Sequence, residues 1–347
     1  MYIKKILWVI AIIGLVAAGI FAYYVYGAML APNTNFNNDE AYIYIKSTDS
    51  YEDVRGQLEP LLKDIDKFDI LAKQKKYTGN IKSGKYAIKK GMSNNDIINS
   101  IRSRNIPVNV SFNNQNSLEK LAGRVASQIE ADSLSLLMAM TDASFLKQNN
   151  FKTETALGMY LPNSYEFYWD TSAETFRDRM LKEYKRFWTD ARIAKANAFG
   201  LAQDQVIALA SIVYEESKER SEQPRIAGVY INRLRIGMPL QADPTLKFAA
   251  YKLPKYKNTV IKRVLNVHKD IVSPYNTYKN RGLPPGLIAM PDISAIKAVL
   301  NHEKHNYLYF AADANRFGYH KFAKTLAQHN VNARAYHRYL SQQGITK

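Results

Sequence analysis

The sequence predicts an α+β protein with an N-terminal transmembrane helix, a small βα domain and a larger, mainly helical domain with short strands. An uncharged apolar run over 6–26 predicts the first part. Strand-like segments followed by amphipathic helical spacings predict the second, and mostly helical spacings over 133–200 predict the third. The 347 residues are enough for an anchor and two or three domains. A composition of 46% hydrophobic and 23% charged residues is typical of a folded chain.

Residues 6–26 read ILWVIAIIGLVAAGIFAYYVY, and a helix of this length rises roughly 30 Å, the thickness of a bilayer core. Lys4 and Lys5 precede this run, and the next basic residue is Lys46. The positive-inside rule therefore predicts that 1–5 form a cytoplasmic tail and that the rest of the chain is extracytoplasmic. A cleaved signal peptide is the alternative, although its apolar core is usually only ~7–15 residues long. We expect a single-pass protein of the cell (inner) membrane with a periplasmic domain.

The chain carries 48 Lys and Arg against 31 Asp and Glu, a formal charge of +17. Such an excess favours a polyanion or an anionic surface as a partner. Because the predicted topology places the basic part outside the cytoplasm, we expect the anionic surface of the cytoplasmic membrane as a partner, and no nucleic acid. The absence of Cys excludes disulfides, thiolate nucleophiles and cysteine-ligated zinc.

The small domain is predicted to begin after a polar linker at 32–38. A strand is expected at 42–45, a helix over 51–62 and a second strand at the end of 83–88. Ser93 is a suitable N-cap for the amphipathic helix that follows that strand.

A second strand and helix repeat this order. The strand VNVSF begins at Val108, and the helix begins at Ser117 and carries four apolar residues on one face: Leu118, Leu121, Val125 and Ile129. We predict one domain over 32–132 and a second domain over 133–347.

Two carboxylates, Glu215 and Glu216, directly follow the nearly all-apolar run 206–214. Pro224 predicts that this helix ends by about residue 222, so both carboxylates lie near its C-terminal end. Apolar surroundings and the negative end of a helix dipole both raise the pKa of a carboxyl group. A carboxylic acid that stays protonated near neutral pH is suited to general-acid cleavage of a glycosidic bond. The alternative is a solvated helix end with Glu216 paired to Arg220.

Five stretches resemble, in order and spacing, the YceG-like (MltG-type) endolytic murein transglycosylases: ALASIVYEES, VYINRLRIGMPLQADPT, YNTYKNRGLPPGLIAMP, NYLYFAAD and HKFAKTLAQHN. The stretch GNIKSGKYAIKKGMS more weakly resembles the LysM-like part of such proteins. The resemblance implies one or more LysM-like domains over 32–132 and a transglycosylase catalytic domain over 133–347. The single N-terminal span fits the family as well, and only 251–270 has no clear match.

The resemblance places the family's catalytic glutamate on Glu216, with Tyr214 where the family commonly has an earlier glutamate. It also implies that six further residues line the cleft or contact sugar and acetamido groups: Gln241, Asp243, Thr245, Tyr275, Asn276 and Tyr278. An alternative interpretation of 243–245 is a helix start with Asp243 as cap and Pro in the first turn. The segment 282–286 is predicted to form a rigid turn.

The implied enzyme is a lyase without a cofactor, a membrane-anchored endolytic lytic transglycosylase. It would cleave the MurNAc–GlcNAc bond of peptidoglycan strands without water, leave a 1,6-anhydroMurNAc end, and thereby terminate or trim nascent strands. Peptidoglycan synthases are further candidate partners by the resemblance. A non-catalytic peptidoglycan-binding scaffold of the cell-wall synthesis machinery is the alternative.

A metal site is not expected. The six His include His302 and His305 in the stretch HEKH, but the HExxH pattern is absent and no third ligand is evident. His320 and His329 lie in stretches that match the family, and we expect structural hydrogen-bonding roles for both.

Overall fold

A computed structural model describes residues 2–256, 259–261 and 263–343. The chain forms two compact units. The first unit is drawn from 1–110, 127–131 and 165–172, and the second from 111–126, 132–164 and 173–347. Helices predominate and the strands are short, so the predicted mixture of helix and strand is confirmed.

The first helix, α1 (Tyr2–Met29), is longer than the predicted span and is exposed along nearly its whole length. Within the described residues it is the one unbroken helix that is long and apolar enough to cross a membrane. Its C-terminal end is fixed to the first unit, because the Asn94 side chain donates to the Ala28 carbonyl at 2.8 Å. The helices Asp190–Ala198 and Gln203–Glu216 pass the same test together, but they are bent by 75° and the second is mostly buried in the protein.

The first unit contains a two-stranded antiparallel sheet and three short helices. In the sheet, Ile43 lies opposite Tyr86 and Glu40 lies opposite Lys89. The elements are β1 (Glu40–Ile45), α2 (Tyr51–Leu58) with a 3₁₀ turn (Glu59–Leu61), α3 (Ile65–Gln74), β2 (Gly84–Lys89) and α4 (Asn94–Ser103).

These elements follow from the sequence pattern. Ile97, Ile98 and Ile101 lie on one face of α4, and this face packs in a hydrophobic core shared with the two strands. Ser93 caps α4, since its hydroxyl accepts from the Asp96 backbone while the Asp96 carboxylate bonds back to Ser93. The predicted strands, the helix after residue 50 and the Ser93 cap are therefore confirmed.

The second predicted strand and helix are also present, as β3 (Pro107–Phe112) and α5 (Leu118–Ala126). The helix is shorter than expected: it ends at Ala126, so the prediction that it carries Ile129 is wrong. Ile129 is nevertheless buried, just after the turn that follows the helix.

The second unit holds most of the helices and a second two-stranded antiparallel sheet. Beyond α5, the helices are α6 (Ser133–Met140), α7 (Ala143–Gln148), α8 (Ala173–Phe187), α9 (Asp190–Ala198), α10 (Gln203–Glu216), α11 (Gln223–Arg235), α12 (Asp243–Tyr251), α13 (Asn266–Lys269), α14 (Ile293–Leu300) and α15 (Leu326–Gln342), with 3₁₀ turns at Ala156–Met159 and Pro254–Tyr256. The strands of its sheet are β5 (Tyr309–Ala312) and β6 (His320–Ala323). A further strand, β4 (Asn163–Tyr168), has its first two residues in the second unit and the rest in the first.

Helix α10 is the centre of the second unit and packs against α9, α11, α12 and α14. The Ser211 hydroxyl within it accepts from the Ile288 backbone at 3.2 Å and so holds the chain that follows the turn at 282–286. Gly286 in that turn is required sterically, because a Cβ there would lie 2.1 Å from the Glu154 carbonyl oxygen. The turn is therefore fixed against the core.

Candidate active site

Glu216 is the last residue of α10 and lies where the buried core meets a cavity. The residues 206–213 before it are all buried, whereas the Glu216 side chain is partly exposed. Ser217 has an extended backbone that ends the helix, and the next helix begins at Gln223 with Pro224 in its first turn. The predicted helix end at the two carboxylates is confirmed.

The alternative pairing of Glu216 with Arg220 is wrong. Because α10 ends at Glu216, residue 220 is not one turn further along the same helix. The Arg220 guanidinium lies 3.5 Å from Asp292 instead, and Glu215 pairs with Lys218 at 3.0 Å. Within the described part of the chain, Glu216 has no ion-pair partner.

The Glu216 carboxyl is held by a neighbouring helix. The Tyr230 hydroxyl on α11 donates to its Oε1 atom at 2.6 Å, and Tyr230 itself is 1% exposed. Burial raises the pKa of Glu216 to about 7, and the Asp243 charge acts in the same direction. The hydrogen bond from Tyr230 and the charges of His320 and Lys247 lower that pKa in part. A substantial fraction of Glu216 is therefore protonated near neutral pH.

Tyr230 is oriented by a short chain of packed side chains. The Phe310 ring meets the edge of Tyr230 at 5.8 Å and that of His320 at 5.2 Å. His320 Nδ1 lies 2.7 Å from Glu222, whose other oxygen accepts from the His320 backbone at 2.8 Å. Since Glu222 is only 5% exposed and directly precedes α11, this pair fixes β6 to the start of the helix that carries Tyr230. The structural hydrogen bond predicted for His320 is present.

A cavity of about 330 Å³ opens in front of the Glu216 carboxyl. Such a volume lies at the lower end of the range for ligand sites. Its walls come from α10, α11, the start of α12, β5 and α15, and they bring together the following side chains: Glu216, Tyr230, Arg233, Leu240, Gln241, Asp243, Tyr278, Tyr309, Phe310, Ala311, Leu326, His329, Ala333, Tyr336 and His337. We call this space the Glu216 cavity.

Arg233 forms part of the Glu216 cavity wall although it is only 7% exposed. Its guanidinium donates to the carbonyl oxygens of Leu308 at 2.6 Å, Leu240 at 2.7 Å and Pro239 at 3.3 Å. Burial lowers the pKa of Arg233, but guanidinium stays charged in proteins. Arg233 therefore ties β5 and the chain before α12 to α11 and places a positive charge on the cavity wall.

Three of the six predicted contact residues lie on the Glu216 cavity: Gln241, Asp243 and Tyr278. The Tyr278 hydroxyl donates to Asp243 Oδ1 at 2.6 Å. Helix α12 begins at Asp243 with Pro244 in the first turn, as the alternative interpretation expected, but the N-cap residue is Ala242, so the expectation that Asp243 is the cap is wrong. Gln241 is exposed and has a positive φ of 49°, which turns the chain from Leu240 into α12.

The other three, Thr245, Tyr275 and Asn276, lie in the buried framework behind the cavity. Thr245 is fully buried, and its hydroxyl lies 2.8 Å from that of Thr277. Asn276 is also fully buried and donates to two backbone carbonyls in its own loop. The Tyr275 ring packs on Phe248 at 4.7 Å. These contacts fix the loop that carries Tyr278 relative to α12.

The histidines do not assemble into a metal centre within the described ranges, where no group of three His, Cys, Asp or Glu side chains could hold an ion. In the HEKH stretch, Glu303 pairs with Arg225 at 2.9 Å and His305 Nε2 bonds to the Arg225 carbonyl at 2.9 Å. His329 lies on the Glu216 cavity, stacked on Tyr309, and burial lowers its pKa. Its buried Nδ1 atom has no hydrogen-bond partner among the described residues, so the hydrogen bond predicted for His329 is not seen at this atom.

Tyr230, Arg233 and the α15 residues of the cavity were not predicted to line the site, although His329 on α15 was expected to have a structural role. Tyr230 and Arg233 are three residues apart and therefore share one face of a helix, which is a weak sequence signal that they line the same site. α15 has no comparable signal, because its cavity-facing residues form an ordinary amphipathic pattern.

We expect Tyr230→Phe to shift the pH–rate profile. A hydrogen bond donated to the charged form stabilises the carboxylate, so its loss raises the Glu216 pKa above its present value of about 7. The resemblance implies that Glu216 is a general acid, which works only while protonated, so the basic limb of the profile should move up by about one pH unit. The measurement is kcat/KM between pH 5 and 9 for the glycan cleavage that the resemblance implies.

Tyr309→Phe is the matched control, because Tyr309 lies on the same cavity and its hydroxyl makes no hydrogen bond to Glu216. An unchanged basic limb in Tyr230→Phe, or an equal shift in both variants, contradicts the assignment of this limb to Glu216.

Comparison with known proteins agrees with the resemblance read from the motifs. The model of the YceG-like family matches residues 43–335. The endolytic murein transglycosylase of Bacillus subtilis is 31% identical over 274 residues, covering 74% of this chain and 73% of that protein. That of Streptococcus pneumoniae is 27% identical over 297 residues, covering 76% of this chain and 52% of that longer protein.

A solved structure is also similar. The 2.6 Å crystal structure of a yceG-like protein from Listeria monocytogenes shares 27% sequence identity, with a TM-score of 0.55. The likeness covers 85% of this chain and 99% of that protein. With the motifs, the family match over most of the chain and these relatives in agreement, the chain belongs to the YceG-like family.

Proposed function

We propose that this protein is a membrane-anchored endolytic lytic transglycosylase that cleaves the MurNAc–GlcNAc bond of peptidoglycan. The observation that carries the proposal is Glu216, a carboxyl group with a pKa of about 7 that faces a cavity. The names of the relatives from Bacillus subtilis and Streptococcus pneumoniae support murein as the substrate.

In the first step, the protonated Glu216 transfers its proton to the glycosidic oxygen as the bond to muramyl C1 breaks. The GlcNAc side leaves with a new hydroxyl group, and positive charge develops on the muramyl ring. The Asp243 carboxylate on the same cavity is suited to stabilise this charge at a distance, since it is held in place by Tyr278.

In the second step, the C6 hydroxyl of the same muramyl residue attacks its own C1. Glu216, now a carboxylate, accepts the hydroxyl proton and returns to its starting state. The product has a 1,6-anhydromuramyl end, and no water is consumed. Because the nucleophile belongs to the substrate, one acid suffices where ordinary glycosidases use two carboxyl groups.

The predicted contact residues receive two different roles. Gln241, Asp243 and Tyr278 line the Glu216 cavity and are positioned to bond to sugar hydroxyl or acetamido groups. The buried side chains of Thr245 and Asn276 instead hold the loops that carry them. Tyr275 supports the same loop through its packing on Phe248.

The apolar α1 supports a single membrane anchor, with 1–5 in the cytoplasm and the rest of the chain on the outer side of the cytoplasmic membrane. We assign LysM-like glycan binding to 32–132 and catalysis to 133–347. Attachment close to the membrane favours action on nascent strands, next to the synthases that make them.

Product analysis tests the proposal. The full-length protein in detergent is incubated with purified sacculi, and the soluble fragments are analysed by mass spectrometry. We expect internal cuts whose products are lighter by one water than the hydrolysis products. Reducing ends would identify a hydrolase instead, and sedimentation with sacculi without cleavage would identify a non-catalytic scaffold.

A further inference from the structure

A second cavity, of about 390 Å³, lies beside α12 and the end of α10. Its walls also include the chain around the start of α5 and the segment after the turn at 282–286. The lining residues are Asn116, Lys120, Glu215, Pro244, Lys247, Phe248, Tyr251, Lys252, Ile288 and Ala289. We call this space the lysine cavity.

Residues that are neighbours in sequence line the lysine cavity and the Glu216 cavity. Glu215 lines the lysine cavity and its neighbour Glu216 lines the other, and the same alternation holds for Pro244 and Asp243. Successive Cα atoms are only about 3.8 Å apart, so the two cavities lie close together at the end of α10 and at the start of α12. A polymer bound at the Glu216 cavity is therefore close to the lysine cavity as well.

The lysine cavity is positively charged. Lys120, Lys247 and Lys252 make no ion pair with any carboxylate that the structure describes. Glu215 is the one acidic residue in its lining, and the Lys218 ammonium 3.0 Å away already neutralises it. Three ammonium groups therefore remain available for an anion.

The same cavity offers aromatic surface. Phe248 and Tyr251 are in its lining, and the Lys252 ammonium lies 4.7 Å from the centre of the Phe248 ring. Aromatic faces pack on the apolar faces of sugars, and ammonium groups bind carboxylates through charge-assisted hydrogen bonds. This combination fits a sugar chain that carries acidic substituents.

We propose that the lysine cavity binds the peptidoglycan strand on one side of the cleaved bond and holds the stem-peptide carboxylates of that part of the strand. The proposal rests on the proposed function and adds a specificity to it. An internal cut requires the strand to be held on both sides of Glu216, and the lysine cavity supplies one of these sides. Lys120 and Lys252 then select strands whose peptides carry free carboxylates.

The test compares two forms of one substrate. Uncrosslinked glycan strands are used with free peptide carboxylates or with the carboxylates converted to methylamides. The variant Lys120→Met/Lys252→Met removes two charges but keeps the aliphatic stem over the Phe248 ring. We expect the KM of this double variant for free-carboxylate strands to rise about tenfold, because that is the effect of losing a charge-assisted hydrogen bond. With methylamide strands, wild type and variant should have the same KM.

Lys182→Met/Lys297→Met is the charge-matched control, since both side chains are exposed and neither lines either cavity. Melting curves of both double variants establish that they are folded. An equal rise in KM in the two double variants, or a variant that still distinguishes the two strand forms as the wild type does, overturns the proposal.

Glu216→Gln is assayed in parallel, so that the two proposals fail separately. Cleavage that persists in Glu216→Gln contradicts the proposed chemistry. Cleavage that depends on Glu216 but ignores the peptide carboxylates leaves the chemistry intact and removes only the role of the lysine cavity.

Discussion

Glu216→Gln is expected to reduce glycan cleavage about a thousandfold, within the range that general acid–base catalysis contributes. The amide keeps the shape of the side chain and can still accept the hydrogen bond from Tyr230, but it cannot supply a proton to the leaving oxygen. The measurement is the rate at which anhydromuramyl ends appear in digests of purified sacculi. A variant that forms these ends at the wild-type rate contradicts the role of Glu216.

The variant should not lose stability. Because the Glu216 pKa is raised from 4.5 to about 7 by folding, its ionisation destabilises the folded state as the pH rises through this window. Glutamine does not ionise, so the melting temperature of Glu216→Gln at pH 8 should equal or exceed that of the wild type. Loss of activity together with a lower melting temperature would point to misfolding instead.

Arg233→Met is expected to destabilise the folded protein by about 2–4 kcal/mol. The substitution keeps an unbranched side chain but removes the donors to three carbonyl oxygens, of Leu308, Leu240 and Pro239. Each buried acceptor left without a partner costs about 1–3 kcal/mol, and water entering from the Glu216 cavity can replace part of this loss. Urea unfolding followed by circular dichroism gives the change in the free energy of unfolding.

Arg235→Met on the same helix is the control, because Arg235 is exposed and makes one long hydrogen bond, to Asn232 at 3.4 Å. We expect its unfolding free energy to stay within about 0.5 kcal/mol of the wild type. A similar small change in Arg233→Met would contradict the view that Arg233 joins β5 and the chain before α12 to α11.

Local sequence patterns predict a helix or strand well where interactions between residues close in the sequence determine it. The isoleucine spacing of α4 and its Ser93–Asp96 capping box act within a few residues, so the sequence predicts both the helix and its first residue. The end of α5 is different. The apolar spacing continues to Ile129, but the helix ends at Ala126 and Ile129 is buried outside it, after a turn of the chain.

The predicted contact residues show the same limit. A motif identifies residues that occur together, but it does not tell which side chains reach the cavity and which hold the loops behind it. Asp243 and Thr245 are two residues apart, yet one faces the Glu216 cavity and the other is fully buried against Thr277. The direction of each side chain depends on the packing of α12 against the loop that carries Tyr278.

The sequence by itself determined the apolar N-terminal helix, the buried run of α10 and the acidic residues at its end, because each is a continuous pattern whose physical cause is local. Only the tertiary structure decided that Glu216, and not Glu215, bonds to Tyr230 and faces the cavity. Tyr230 is 14 residues from Glu216 in the sequence, and Arg233 bonds to Leu308, which is 75 residues away. Local periodicity cannot predict contacts between residues so far apart in the sequence. Packing of α11, α12 and β5 around α10 brings these groups together and thereby sets the pKa of the acid.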